Sequence, residues 1–169
     1  SEPGVGATFH IYLPASKKPV TEKEEVGETV KAAFRGRKRI LVMDDEEMIR
    51  EMLSDTLSSA GLEVELASDG KEAIERYEKA RESGQPFDAV IMDLTIPGGM
   101  GGKEAIKKLI EIDPDVKAIV SSGYSTDPIM ADFRKYGFSA VMTKPYSVGE
   151  MERTLRRILV RAKKNSSEE

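Results

Sequence analysis

Between Arg39 and Leu159 the chain alternates, five times over, a short apolar run with a longer stretch of helical apolar spacing. Repeated strand-then-helix units favour a parallel sheet with helices on both faces, joined by right-handed crossovers. The runs are Arg39–Asp44, Leu62–Ala67, Asp88–Met92, Val116–Val120 and Ser139–Met142. The central ones are rich in Val, Ile, Leu and Met rather than alternating polar with apolar, as strands covered on both faces should be.

The intervening stretches read as helices. The first, at about 46–60, places Ile49, Met52, Leu53, Leu57 and Ala60 on one side and stops at Gly61. The second begins near Asp69, turns Ala73, Ile74, Tyr77 and Ala80 inward, and breaks at Ser83-Gly84-Gln85-Pro86. A glycine-rich loop, Pro97 to Gly102, precedes a third helix that carries Ala105, Ile106, Leu109 and Ile110. A fourth is expected over 126–136, opened by Asp127-Pro128 and ended by Gly137. The last has the stripe Met151, Leu155, Ile158 and Leu159. Met52 and Met151 read as core stripe, and Met43, Met92 and Met142 as strand interior.

Four runs end in groups able to do chemistry: Asp44-Asp45, Asp93, Ser121-Ser122 and Thr143-Lys144-Pro145. In an open parallel sheet ligands bind outside the carboxyl ends of the strands. Three carboxylates, a hydroxyl and an ammonium would converge there, a set suited to a divalent cation and a phosphoryl group. Taken singly these residues are unremarkable. Asp44-Asp45 alone reads as a helix cap, Ser122 as a turn hydroxyl, and Lys144-Pro145 as an ordinary loop pair. Their joint placement at strand ends is what discriminates.

Composition removes other chemistries. With no cysteine among 169 residues there is neither disulfide nor thiolate site, and a single His excludes a multi-histidine metal centre. A net charge of −4 argues against non-specific nucleic-acid binding. No apolar stretch approaches the ~20 residues of a membrane-spanning helix, and no signal peptide opens the chain.

Residues 38–164 resemble the receiver domain of two-component response regulators. The resemblance is carried by Asp44-Asp45 after the first strand, Asp93 after the third, Ser122-Gly123 after the fourth and Lys144-Pro145 after the fifth. It implies an α/β, doubly wound, flavodoxin-like fold with strand order 2-1-3-4-5. It also implies a chemistry. Asp93 is the phosphoacceptor. Mg2+ (or Mn2+) is held by Asp44, Asp45, Asp93 and the backbone carbonyl of Thr95, with Asp45 the more direct ligand and Asp44 acting through water. Lys144 pairs with the phosphoryl oxygens and follows with a cis bond to Pro145. Ser122 is drawn toward the phosphoryl group, and its movement switches the loop Ser121–Asp127 and the helix after it. The family's usual partner face, formed by that helix and the last one, would include Tyr136 and Arg153. The family often has an aromatic residue three positions before the Lys, where this chain has Val141. The implied donor is a histidine kinase dimerisation and phosphotransfer domain or a histidine phosphotransfer protein, in the cytoplasm.

The preceding residues fit a remnant. Gly4-Val-Gly-Ala-Thr-Phe-His-Ile-Tyr-Leu-Pro14 resembles the closing strand of a histidine-kinase ATP-binding domain. The expected layout is a kinase remnant at 1–16, a partly helical linker at 17–37, the receiver at 38–164 and a disordered tail at 165–169. The start at Ser1 suits a piece of a hybrid histidine kinase without kinase activity of its own. No output domain is expected after the last helix, which would suit action on that kinase or onward relay. Three other readings compete. A receiver-like binding module would lack phosphorylation. An aspartate-nucleophile phosphatase would want an acid where Thr95 stands. A flavin carrier would need a hydroxyl-rich loop where Asp44-Asp45-Glu46-Glu47 repels phosphate.

Overall fold

The computed structural model describes residues 12, 34, 37–123 and 127–160. The strand expected within 1–16, nearly all of the linker and the terminal tail lie outside the described residues. Five strands form one sheet: β1 (Arg39–Met43), β2 (Glu63–Ala67), β3 (Ala89–Asp93), β4 (Ala118–Ser122) and β5 (Ala140–Thr143). Every pairing is parallel and the order is β2-β1-β3-β4-β5, the expected doubly wound arrangement. Helices α1 (Glu47–Ser59), α2 (Gly70–Glu82), α3 (Gly102–Ile112), α4 (Pro128–Ala131) and α5 (Val148–Val160) follow the strands in turn.

Successive strand side chains point to opposite faces, and each face finds a cover. Ile40, Val42, Ile91, Ile119 and Met142 pack with Leu53 and Leu57 of α1 and with Met151 and Leu155 of α5. Leu41, Met43, Val90, Met92 and Val120 pack with Tyr77, Ile106, Leu109 and Ile129 on the other side. Each such Leu, Ile or Val contributes about 1.5–3 kcal/mol by leaving water. The Tyr77 hydroxyl donates to Asp113 Oδ2 at 2.8 Å, tying α2 to the end of α3. At the amino edge of the sheet, Arg39 bonds Glu65 and the Gln85 carbonyl, with its guanidinium 4.7 Å from the centre of the Phe87 ring.

Several expectations need correction. Strands β3 and β4 run further than the apolar runs suggest, to Asp93 and Ser122, because the ladder continues through the register pairs Asp93↔Ser121 and Ser122↔Thr143. Met52 is 47% exposed and Met48 76%, so neither belongs to the core; the buried stripe of α1 is Leu53 and Leu57, leading to Ala60. The fourth helix is not continuous. It ends at Ala131, Asp132 leaves helical dihedrals (φ −113°, ψ 30°), and a 3-10 turn spans Phe133–Tyr136. Asp132 accepts from the Lys135 N–H at 2.8 Å and from Lys135 Nζ at 2.7 Å, which favours the tighter turn. Gly137 then takes a left-handed φ of 94°, and a Cβ there would strike Ile110.

Candidate functional site

The site is assembled by register. Met43 lies opposite both Ala67 and Met92, and Asp93 opposite Ser121. The ladder extends past the strands through Asp44 N–H to Ala67 O (3.1 Å), Leu94 N–H to Ser121 O (2.8 Å) and Lys144 N–H to Ser122 O (2.8 Å). Residues distant in sequence are thereby held level at one edge of a rigid sheet.

Asp44, Asp45 and Asp93 each bring a carboxylate oxygen to within 4.8 Å of the other two, a group able to hold a metal ion. Lys144 Nζ bridges two of the three, at 2.6 Å from Asp44 Oδ2 and 2.5 Å from Asp93 Oδ2. The second oxygens have backbone partners: Asp44 Oδ1 accepts from Glu46 N–H and Asp93 Oδ1 from Thr95 N–H, both at 3.1 Å. Asp44 and Ser122 are buried, Asp93 and Lys144 half-buried, and Asp45 and Thr95 exposed. Burial pushes the Asp44 carboxyl above its ordinary range, and the bond from Lys144 opposes that rise. Burial works against the Lys144 ammonium, but its bonds to Asp44 and Asp93 hold its pKa above that of an ordinary lysine.

The surroundings fix these groups. The Lys144–Pro145 peptide is cis. Gly102 opens α3 hard against β3: a Cβ there would lie 2.8 Å from the Asp93 carbonyl oxygen. That close approach requires glycine, and it accounts for part of the glycine-rich loop. Tyr146 faces Ser121, both hydroxyls are buried, and neither closes a hydrogen bond of ordinary geometry. Val141 is half-buried against the core on the α3 side.

One participant was not visible in the sequence. Arg50, in the first turn of α1, donates through Nη1 to the carbonyl oxygens of Asp44 (2.7 Å) and Asp45 (2.9 Å). Its acceptors are backbone atoms, which no motif spells out. The available signal was a cation near a helix amino terminus, the end its dipole disfavours.

A hard-oxygen cluster facing a lysine at the carboxyl edge of a parallel sheet can be compared with known proteins. The family model for the response regulator receiver domain matches residues 40–156. The chain belongs to that family. This receiver is 34% identical to the chemotaxis protein CheY of Thermotoga maritima over 122 residues, which cover 72% of this chain and 97% of CheY. It is 32% identical to the sensor kinase CckA of Brucella abortus over 169 aligned positions, covering 94% of this chain but 17% of CckA. Among solved structures, the receiver domain of sensor histidine kinase PA1611 from Pseudomonas aeruginosa superposes with a TM-score of 0.65 at 23% identity, covering 74% of this chain and 99% of that one. That structure has a magnesium ion coordinated in its active-site cleft. The chain is thus a CheY-like receiver, a phosphoacceptor of two-component signalling. Among the described residues no helix is long and apolar enough to cross a membrane.

Proposed function

We propose that Asp93 is the residue phosphorylated, receiving the phosphoryl group of a phosphohistidine. The observation that carries this is the gathering of three carboxylate oxygens within 4.8 Å of one another, with Lys144 Nζ bridging Asp44 and Asp93. The donor set suits a hard cation, Mg2+ or Mn2+, which favours oxygen ligands. Asp44, Asp45, Asp93 and the Thr95 carbonyl would hold it. When bound, it would neutralise charge on the transferring phosphoryl group.

The chain's own residues do the rest. An Asp93 carboxylate oxygen attacks phosphorus, the P–N bond to the donor imidazole breaks, and an acyl phosphate forms. Lys144, already beside Asp93, shifts its ion pair to the new phosphoryl oxygens. Ser122 turns its hydroxyl toward them, and the segment running through α4 and the following 3-10 turn repacks. That segment is suited to respond: α4 spans one turn, and its successor has the weaker 3-10 geometry.

The likeness to CckA extends beyond residues 40–156 and supports a wider reading. Residues 1–16 would be the end of a kinase ATP-binding domain, 17–37 a linker, 38–164 the receiver and 165–169 a tail, within a cytoplasmic portion of a hybrid histidine kinase. The donor is then that kinase's phosphotransfer domain, a partner kinase's, or a histidine phosphotransfer protein. Acetyl phosphate with Mg2+ should add one phosphoryl group to the wild type, read by intact mass, and none to Asp93→Ala. Equal labelling of the two proteins refutes the assignment.

A further inference from the structure

We propose that Arg50 is a positioning residue for the cation site: it clamps the Asp44–Asp45 turn from behind and thereby sets the affinity of the acidic cluster for its metal. This rests on the function proposed above and adds a residue to it. Arg50 Nη1 carries two hydrogens, and it lies within bonding distance of two successive carbonyl oxygens, 2.7 Å from Asp44 O and 2.9 Å from Asp45 O. Those carbonyls belong to two of the three residues whose carboxylates form the cluster.

The two nearby cations divide the work. Lys144 binds carboxylate oxygens of Asp44 and Asp93, atoms a metal would also want. Arg50 binds only main-chain oxygens in this turn, so it fixes the two aspartates without occupying a carboxylate. Its position also calls for a reason. Arg50 is the fourth residue of α1, near the end where a helix dipole disfavours positive charge. Glu46, the residue before the helix, makes no side-chain capping bond. The turn that presents Asp45 is therefore held by the Asp44 Oδ1 bond to Glu46 N–H and by this guanidinium. Charge-assisted bonds to a carbonyl are stronger than neutral ones. Groups that orient metal ligands without touching the metal typically change affinity by about 10–100-fold when removed.

The test is the Mg2+ dependence of Asp93 phosphorylation by acetyl phosphate, a donor too small to need a docking surface. Arg50→Ala should raise the Mg2+ concentration for half-maximal rate by about tenfold, and saturating Mg2+ should restore most of the rate. Arg50→Lys, which keeps a charged donor, should fall between the two. An Mg2+ titration followed by amide NMR, with no phosphodonor, should show the same order. A purely structural role would lower the unfolding midpoint and leave the Mg2+ midpoint in place, and that result overturns the proposal. So does a defect seen only with a phosphohistidine protein as donor, which would make Arg50 a docking residue. Should Arg50→Ala not fold, Arg50→Gln and Arg50→Lys carry the same comparison. Failure of the wild type itself to take up phosphate would instead refute the assignment of Asp93.

Discussion

Lys144 is the residue on which the resting site balances. Its ammonium is shared by a buried carboxylate, Asp44, and a half-buried one, Asp93. Removing one member of such a group leaves the others desolvated and repelling. Lys144→Gln should cost about 2 kcal/mol in chelator, measured by urea unfolding. Millimolar Mg2+ should return more stability to this variant than to the wild type, because the cation takes over the ammonium's task. An equal loss with and without Mg2+ would show that Lys144 does not offset the carboxylates. The same residue shows what the chain made legible. Lys144, Ser122 and Asp93 could be read as a set because each ends an apolar run. Arg50 could not, since its partners are main-chain oxygens.

Among the elements, α2 carries the best-formed start. Asp69 Oδ1 accepts from Glu72 N–H at 2.8 Å, and Glu72 Oε2 accepts in return from the Ser68 N–H (2.7 Å) and hydroxyl (2.8 Å). The Ser68 N–H first, then Arg76 and the Ser68 hydroxyl, hold the Glu72 carboxyl at about 2, below its ordinary value of 4.5. A carboxylate whose pKa falls on folding stabilises above its unfolded pKa and stops doing so as pH falls through its folded one. Glu72→Gln should therefore cost up to about 1 kcal/mol near neutrality, trimmed by solvent screening. The difference from wild type should shrink below pH 4.5 and vanish near pH 2. A gap that stays constant across that window would assign the loss to packing instead. By contrast α4 was misread, since Asp127-Pro128 and Gly137 mark the two ends of the segment but do not reveal the break at Asp132.

For the molecule as a whole, the carboxyl ends of the strands share one edge, so a cation bound there would make stability and ion binding a single equilibrium. A cation that binds only the folded form stabilises it by about 1.4 kcal/mol at ten times its dissociation constant. Urea midpoints should rise with Mg2+ in the wild type and stay flat in Asp45→Asn. A parallel rise in both would place the ion elsewhere. The doubly wound fold was legible because its period is long and repeated, and the site because parallel strands deliver their ends together. Strand limits were less so, since hydrogen-bonded pairing carries β3 and β4 onto polar residues.

Three methionines happen to sit one or two residues upstream of this chemistry. Met43 precedes Asp44, Met92 precedes Asp93, and Met142 stands two residues before Lys144, all three essentially buried. Met43 and Met92 lie in the core beneath α2 and α3, whereas Met142 lies in the core beneath α1 and α5. Their thioether carbons are thus native beacons on opposite sides of the same wall. Isotope-enriched methyl spectra would reveal to which side a modification at Asp93 transmits its disturbance, with no extrinsic probe or substitution added.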